Sequence, residues 1–472
     1  MISSLLPEKV LDIFTSLCAI PHGSGNTKAI SDHCADYARS RGLSVQQDAH
    51  DNLIIRLPAT AGFEDHPTVI LQGHLDMVCE KDADSPVNFE TDGLKLCRDG
   101  DILFAEGTTL GGDDGIAVAM GLALIDSDIP HPPVELVFTS DEEIGMLGAS
   151  AMDMSSLSGR ILMNIDSEEE GVLTVACAGG ERVDLRLPLP QTEAAGEGLR
   201  ITLGGFAGGH SGTEIGSGRE NACFELIKLL FCISDRFDIR LSSLFGGSKD
   251  NAIPRECTAL LIGAPGCAEA LQSAGDALCR ALAAHEPEAF FRLEKADVSH
   301  AVSAADSRRA LGMLAELPCG VQSMVTGLEG QVQTSLNLGI LRLEDGELRA
   351  SYLVRSSVNG ERDALTARLK NAVCAAGGHA SASGRYPAWE YRPGSRLQEI
   401  LSDVWQEITG TSAEVLSIHA GLECGVFSGK LPGLDCVSFG PNIRDIHTTR
   451  ERLELSSAGR CWALMCETLR RL

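Results

Sequence analysis

The position of histidines and acids relative to the apolar runs constrains this chain most. Four segments lie at or just beyond the end of an apolar run typical of a buried strand: Gly73-His74-Leu75-Asp76, Ser140-Asp141-Glu142-Glu143, Asn164-Ile165-Asp166 and Asp445-Ile446-His447. A fifth segment, Gly112-Asp113-Asp114-Gly115, opens a helical stretch. Because ligands and catalytic groups collect at strand ends in an open α/β sheet, we expect the five segments to form one site.

Strands and helices alternate along the first part of the chain. We predict helices over 8–17, 26–41 and 116–125, and strands over 45–57, 68–71, 134–139 and 161–165. This alternation predicts a mostly parallel sheet with covered faces. After Gly180 the pattern changes and includes a polar loop over 190–198, and from Gly394 the first pattern returns. We therefore predict an α/β domain formed by residues 1–182 and 384–472, split by an inserted α+β domain of residues 183–383.

Composition excludes several classes of partner and location. The formal charge of −27 argues against nucleic acid and anionic membranes as partners. The longest apolar stretch, residues 116–125, is too short to span a bilayer, and the N-terminus lacks a secretory signal pattern. The sixteen cysteines include no Cys-x-x-Cys pair, and many lie in apolar stretches. We therefore expect a reduced, cytoplasmic protein without disulfides.

The acidic segments suit a metal-dependent hydrolase, although each has a simpler explanation. Asp76 can orient the imidazole of His74, since side chains two residues apart in a strand share a face. Asp113 could bridge two cations or merely cap a helix. Adjacent carboxylates at Glu142 and Glu143 repel each other when buried, unless one coordinates a metal and the other accepts a proton from water. Taken alone, each segment could equally be a chance motif or a solvated loop.

Three longer runs resemble one known family. Residues 71–81 (LQGHLDMVCEK), 166–171 (DSEEEG) and 208–212 (GGHSG) are similar to the aminoacyl-histidine dipeptidase branch of the co-catalytic zinc family of aminopeptidases, carboxypeptidases and deacylases. The first two runs are typical of this branch, whereas His-x-Asp and Glu-Glu are shared by the wider family. Similar stretches extend from the first helix to the last. The resemblance implies a zinc-exopeptidase fold in which residues 183–383 act as a lid.

The resemblance also implies a set of metal ligands and catalytic residues. Asp113 would bridge two zinc ions, with His74 and Asp166 on one ion and Glu143 and His447 on the other. Asp76 would orient His74, and Glu142 would be the general base. The family usually has Asp-Asn at the bridge, with a cis peptide bond after the aspartate. Here the pair is Asp113-Asp114, so the role of Asp114 is open. Cobalt or manganese could substitute for zinc, since the ligands include no thiolate.

Further residues are implied to contact the substrate. His210 matches a lid histidine that stabilises the oxyanion, and Asn251 and Arg355 match lid residues that hold the substrate carboxylate. Gly421 and Glu423 lie in a loop implied to contact the amino end of the substrate. The lid is implied to close over the substrate, with hinges near Gly180 and Gly384.

These residues lead to one expected function and two alternatives. We expect a cytoplasmic, homodimeric metallo-dipeptidase that cleaves unblocked dipeptides of the Xaa-His class. An N-acyl amino acid deacylase or a tripeptidase would use the same metal chemistry. A non-catalytic scaffold is disfavoured, because all five ligand positions and the position of Glu142 hold competent residues.

Overall fold

Most helices and strands begin and end near the turn-forming and polar residues that interrupt the apolar runs of the sequence. A computed structural model describes residues 6–194 and 196–472, so residues 1–5 of the predicted first domain and residue 195 of the predicted polar loop lie outside it. The helices, in chain order, are α1 (Glu8–Cys18), α2 (Lys28–Arg39), α3 (Gly112–Ile125), α4 (Leu147–Ala151), α5 (Ala222–Ile233), α6 (Cys267–Leu282), α7 (Ala304–Glu316), α8 (Asn359–Ala375), α9 (Arg396–Thr409), α10 (Glu423–Lys430) and α11 (Leu455–Arg471).

The strands, in chain order, are β1 (Ser44–Gln47), β2 (Leu53–Leu57), β3 (Val69–His74), β4 (Leu96–Asp99), β5 (Ile102–Ala105), β6 (Val134–Thr139), β7 (Ile161–Asn164), β8 (Val172–Cys177), β9 (Gly179–Pro188), β10 (Gln191–Glu193), β11 (Glu197–Gly204), β12 (Gly209–His210), β13 (Ile239–Gly246), β14 (Ala252–Ile253), β15 (Cys257–Gly263), β16 (Phe290–Lys295), β17 (His300–Val302), β18 (Gly320–Met324), β19 (Val332–Glu344), β20 (Glu347–Ser356), β21 (His379–Tyr386), β22 (Glu414–Ile418), β23 (Asp435–Ser438), β24 (Ile443–Arg444) and β25 (Arg452–Glu454).

The chain divides into two compact units. The first unit comprises the residues up to Ala176 together with Trp389–Ser417 and Leu422–Leu472, and the second comprises Cys177–Ala388 with Ile418–Gly421. The boundaries lie close to those of the predicted domains. The short return of the chain into the second unit at 418–421 was not foreseen. The functions of the two units, as catalytic domain and lid, stay predictions.

The first unit contains an eight-stranded sheet in the order β1-β2-β6-β3-β7-β23-β8-β22. Its central strands β6, β3, β7 and β23 pair in parallel, whereas β1, β2 and β8 pair antiparallel with their neighbours. The strands β3 and β6 are buried along their whole length, as the continuous apolar runs indicate. The helix α3 is buried on nearly all sides and contacts α1 and β3. The predicted α/β class with a mostly parallel sheet is confirmed.

Two predicted segments differ in the structure. The single strand expected over 45–57 is a hairpin of β1 and β2, because Asp48 accepts hydrogen bonds from the backbone N–H groups of His50 and Asn52 and stabilises a turn. The expected polar loop over 190–198 contains β10, which pairs antiparallel with β17. The first difference arises from a local turn and the second from pairing with a strand about a hundred residues away in the sequence, and the apolar pattern encodes neither.

The second unit is built on an antiparallel sheet. Its strands run in the order β16-β11-β15-β13-β19-β20-β9-β21, with β18 also paired to β19. The helix α5 contacts α6 and α7, and α8 contacts β9, β20 and β21. The core beneath these helices consists mainly of leucine, isoleucine and valine side chains. Gly180 lies inside β9 and pairs with both β20 and β21, so a hinge at this glycine is not expected. None of the helices described here has the length and apolarity needed to cross a membrane.

Candidate active site

The first unit brings the polar ends of three parallel strands to one edge of its sheet. β3 ends at His74, and it lies between β6 and β7. Glu142 and Glu143 follow β6, and Asp166 follows β7. Since parallel strands share their direction, these four side chains leave the sheet at the same edge, as the sequence pattern predicts.

The carboxylate of Asp113 lies between two groups of candidate ligands. His74 Nε2 is 3.1 Å from Asp113 Oδ1 and 3.6 Å from Asp166 Oδ1. On the other side, His447 Nε2 is 3.3 Å from Asp113 Oδ2 and 3.0 Å from Glu143 Oε2. Within each trio the candidate ligand atoms all lie within 4.8 Å of one another. The two oxygens of one aspartate therefore face two adjacent places where a cation could bind.

The acidic side chains of this cluster favour the protonated, positively charged form of its two histidines. Burial lowers the pKa of His74, but hydrogen bonds to three aspartates outweigh it and raise that pKa well above its usual value. Hydrogen bonds to Asp113 and Glu143 raise the pKa of His447 to about 10. Burial raises the pKa of Asp166 to about 6, against the opposing effect of His74. The site thus favours positive charge at its centre.

The donor set fits divalent cations. The two imidazoles and three carboxylates include no thiolate, which suits zinc, cobalt or manganese. Glu143 Oε1 is buried and has no hydrogen-bond partner among the described residues. A buried carboxylate oxygen without a partner is costly, and a bound cation would remove that cost.

Asp76 connects His74 to the two adjacent glutamates. Its Oδ1 accepts a hydrogen bond from Glu142 N at 2.9 Å, and its Oδ2 accepts one from Glu143 N at 3.2 Å and another from Ser24 Oγ at 2.8 Å. His74 Nδ1 is 2.9 Å from the backbone carbonyl oxygen of Asp76 and 3.5 Å from Asp76 Oδ1. Asp76 therefore orients the imidazole largely through its backbone and fixes the glutamate turn through its carboxylate.

Glu142 follows that turn next to the ligand cluster. Burial raises the pKa of Glu142 well above its usual range, and the nearby charges of Asp166 and Glu423 act in the same direction while His74 opposes them. The pKa of this carboxyl therefore responds directly to the charge at the centre of the cluster.

His210 lies in the second unit on β12, which pairs with β14. Its Nδ1 accepts hydrogen bonds from the backbone N–H groups of Gly212 and Thr213, both at 3.3 Å. Burial and the charge of Arg355 lower the pKa of His210. The ring is therefore neutral near pH 7, with its proton on Nε2, and it can donate a hydrogen bond from that atom.

The other predicted substrate residues divide between the two units. Asn251 is exposed beside β12, and its backbone oxygen accepts a hydrogen bond from Ser211 N at 2.8 Å. Arg355 is buried on β20 in the same unit. Gly421 belongs to the second unit, whereas Glu423 begins α10 in the first.

Glu423 is fully buried, at 0% exposure. Its Oε2 accepts hydrogen bonds from Gln72 Nε2 at 2.5 Å and Thr139 Oγ1 at 2.6 Å. Gln72 Oε1 in turn accepts one from Asn164 Nδ2 at 2.5 Å. The network joins α10 to β3, β6 and β7, the three strands whose ends carry site residues. This placement supports a positioning role for Glu423 rather than contact with the amino end of a substrate.

Comparison with known proteins decides the family. The model of peptidase family M20/M25/M40 matches residues 70–471. The chain belongs to peptidase family M20/M25/M40. The match contains every candidate metal ligand identified above. The predicted family and the predicted enzyme class, a metal-dependent peptidase, are confirmed.

Two relatives of this M20 peptidase match over their full length. The chain is 35% identical over 479 residues to the cytosol non-specific dipeptidase of Escherichia coli strain K12, covering 100% of this chain and 99% of the relative. The crystal structure of aminoacylhistidine dipeptidase from Vibrio alginolyticus matches with a TM-score of 0.95 and 34% identity, over 100% of this chain and 98% of that one. Aminopeptidase PepT from Bacillus cereus ATCC 10987, at 17% identity and a TM-score of 0.56, shares the fold over 99% of this chain and 98% of its own.

Sequence reasoning about the M20 site missed Glu451. This buried carboxylate accepts hydrogen bonds from the backbone N–H groups of four consecutive residues, at 2.7 Å from Leu110, 3.2 Å from Gly111, 2.8 Å from Gly112 and 3.4 Å from Asp113. Glu451 therefore joins the turn that carries Asp113 to the segment that carries His447. No local motif marks it, because its partners lie more than 300 residues away in the sequence.

Asp114, whose role the sequence left open, belongs to neither candidate ligand trio. It is 1% exposed, and its Oδ2 accepts a hydrogen bond from His74 N at 3.2 Å. Burial and the charge of Asp166 raise its pKa well above the usual value. The Asp113-Asp114 peptide bond is cis, as the resemblance implies. Asp114 therefore supports the backbone of His74.

Proposed function

We propose that this chain hydrolyses the peptide bond of unblocked dipeptides, with Xaa-His dipeptides as the preferred class, at a dinuclear metal centre in its first unit. One observation carries the proposal: the two oxygens of Asp113 lie 3.1 Å and 3.3 Å from imidazole nitrogens of His74 and His447. His74 and Asp166 would bind one zinc ion, and Glu143 and His447 would bind the other. Asp113 would bind both ions. Cobalt or manganese could replace zinc.

The reaction would use Glu142 as general base. When bound, two such cations polarise the scissile carbonyl and lower the pKa of the attacking water. Glu142 would accept the proton of that water and deliver it to the leaving amine. Asp76 supports this role, since its carboxylate fixes the backbone N–H groups of Glu142 and Glu143. Adjacent glutamates would thus divide the work, one as base and one as ligand.

The second unit would supply groups that recognise the substrate. His210 would donate its Nε2–H to the oxyanion, a role supported by the two backbone N–H groups that occupy its Nδ1. Asn251 and Arg355 would hold the substrate carboxylate, and Gly421 would contact the amino end of the substrate. We propose that residues 183–383 act as a lid and that His210 acts within its own chain.

The full-length relatives support the substrate class and the location. One is named a cytosol non-specific dipeptidase and the other an aminoacylhistidine dipeptidase. We propose a cytoplasmic location for this chain on the same basis. We propose a homodimer on the basis of the family resemblance alone.

The test is hydrolysis by metal-depleted protein to which Zn²⁺ is added back. The panel would contain Xaa-His dipeptides, other dipeptides, tripeptides and N-acetyl amino acids, with Glu142→Ala as the inactive control. We expect zinc-dependent cleavage of dipeptides with Xaa-His among the best substrates. Faster cleavage of tripeptides or of N-acetyl amino acids would instead identify a tripeptidase or a deacylase.

A further inference from the structure

The turn that carries His210 is closed by one acidic residue. Glu214 Oε2 accepts a hydrogen bond from the backbone N–H of His210 at 2.8 Å. In return, the backbone N–H of Glu214 donates to the carbonyl oxygen of His210 at 3.1 Å. Glu214 therefore engages both backbone polar groups of His210. Together the two bonds orient the peptide units on either side of the Cα atom of that histidine.

Arg219 connects the same acid to the start of the turn. Its Nη2 forms an ion pair with Glu214 Oε1, and its Nη1 donates a hydrogen bond to the backbone carbonyl oxygen of Gly208. The two oxygens of Glu214 thus have different partners, the backbone of His210 and the guanidinium of Arg219. Because the guanidinium is a rigid planar fork, it holds the acid and the carbonyl group in one fixed arrangement.

Gly209 leaves the space that this pair of side chains occupies. Its φ is 132°, in the region that favours glycine. A Cβ at this position would overlap Glu214 Oε2 and Arg219 Nη1, so the carboxylate and the guanidinium lie directly against the backbone that precedes His210. At such close approach, a displacement of either side chain is transmitted to the backbone of His210.

The rest of the turn is anchored by other means. Antiparallel pairing of β12 with β14 holds its start, and Ile215 belongs to a small buried apolar cluster with Ile253. By contrast, the side chains of Glu214 and Arg219 are 36% and 31% exposed. Ion pairs with this much exposure contribute little to stability. We therefore expect the pair to matter less for the folding of the second unit than for the position of His210.

We propose that Glu214 and Arg219 are positioning residues for His210, which direct its Nε2–H towards the oxyanion. This inference rests on the dipeptidase function proposed above and adds two residues to it. Neither side chain needs to touch the substrate, since Glu214 acts through the backbone of His210 and Arg219 acts through Glu214. The backbone N–H groups of Gly212 and Thr213 fix the tautomer of the ring, whereas the pair fixes the backbone from which the ring projects.

The first experiment compares Glu214→Ala with Glu214→Gln, which keeps an oxygen that can accept the bond from His210 N. On glycyl-histidine, Glu214→Ala should lower kcat by about 10–10²-fold, the effect of a small displacement of a catalytic group, with KM little changed. The loss should be smaller than the roughly 10²–10³-fold expected for His210→Ala. Glu214→Gln should keep most of the activity, and Arg219→Ala should lower kcat less than Glu214→Ala does. Asp235→Ala, which removes an exposed ion pair with Arg308 in the same unit, is the matched control.

A double-variant comparison tests whether Glu214 acts through His210. In the His210→Ala background, adding Glu214→Ala should change kcat by no more than about twofold, because the group that it positions is already gone. An equal loss of kcat in both backgrounds would show a merely structural role and would overturn the inference. An unchanged kcat in Glu214→Ala alone would overturn it as well.

A second measurement separates this inference from the proposed function. NMR spectra of zinc-loaded protein with isotope-labelled histidine rings report the tautomer of each ring, and the spectrum of His210→Ala identifies the signals of His210. The wild type and Glu214→Gln should show the Nε2–H tautomer, whereas Glu214→Ala should shift towards the average of both tautomers as the turn opens. If the wild type fails to cleave dipeptides, the proposed function fails, yet this shift still supports the positioning of His210. Identical His210 signals in the wild type and Glu214→Ala contradict it.

Discussion

The two units of the molecule are electrostatically incomplete in opposite senses. In the first unit, three carboxylates and two histidines converge within a few ångströms, and a buried oxygen of Glu143 has no hydrogen-bond partner in the part of the chain that the structure describes. In the second unit, the buried Arg355 forms no ion pair with an acid among residues 6–194 and 196–472, and burial together with its charge lowers the pKa of His210 and His419. One unit is prepared for cations and the other for an anion.

The largest effect is expected in the first unit. Glu142→Ala should lower kcat by about 10²–10⁴-fold, because the group that accepts the proton is lost. Its metal content should be unchanged, since the proposed ligand is Glu143. Parallel assays and metal analysis of the two alanine variants test the division of roles. If Glu142→Ala loses a zinc ion and Glu143→Ala keeps both, the roles of the two glutamates are interchanged.

The matching change in the second unit is Arg355→Ala. It should raise KM for dipeptides by an amount equivalent to about 2–5 kcal/mol, because it removes the cation that pairs with the carboxylate. Metal content should not change, which distinguishes this unit from the first. Arg349→Ala, an exposed arginine on the same strand β20, is the control. A loss of zinc in Arg355→Ala, or an equal loss on the peptide amide, would contradict the contrast between the units.

Substitution of Glu451 tests whether a residue that is not itself a candidate ligand stabilises the metal site. In Glu451→Gln, an amide N–H₂ would face backbone N–H donors, leaving part of the Leu110–Asp113 turn without an acceptor. We expect a loss of about 1–3 kcal/mol in the free energy of unfolding. Zinc affinity should also fall by about 10–100-fold. Denaturant unfolding and zinc titration measure the two effects, with the exposed Glu407→Gln as control. Unchanged zinc affinity would restrict Glu451 to a role in stability.

The smallest effect concerns His419 and pH. Its pKa is about 4 in the folded chain and about 6.5 when unfolded. Between these values the unfolded chain binds a proton that the folded chain does not, so stability falls as pH falls from 6.5 towards 4. Between pH 7 and 5.5 the free energy of unfolding should fall by about 1.2 kcal/mol more in the wild type than in His419→Asn. Denaturant unfolding at both pH values measures the difference. An equal change in the free energy of unfolding of wild type and His419→Asn would show that His419 is not held neutral by its surroundings.

The sequence predicted the parts of the molecule that short segments determine. The candidate ligands from His74 to His447 could be grouped because each follows an apolar run or opens a helix, and parallel strands carry such ends to one edge. Their roles as ligands stay predictions. The hairpin at Asp48 was missed because one side-chain turn interrupts a continuous apolar pattern. The domain boundaries predicted from changes of pattern lie close to the bounds of the two units, but no pattern indicated that residues 418–421 return to the second unit.

The remaining features depend on register and long-range pairing. Nothing near Tyr386 in the sequence indicates that it lies opposite Gly180, or that Arg355 lies on the other side of that glycine. Likewise, Glu451 directly precedes β25, and its hydrogen bond with Gly112 joins segments more than 300 residues apart in the sequence. Glu423 was assigned to the substrate because its loop resembles a pocket loop, whereas burial under the strand ends depends on how α10 packs.

In the proposed metal centre Asp113 bridges two metal ions, and the number of Zn²⁺ ions bound per chain measures whether it does. Metal-depleted wild-type protein should bind two Zn²⁺ ions per chain in a calorimetric titration checked by elemental analysis. Asp113→Ala should weaken both sites, since its two oxygens face both trios. Asp166→Ala should weaken one site only. A single zinc ion in the wild type, or two sites of unchanged affinity in Asp113→Ala, would contradict the account.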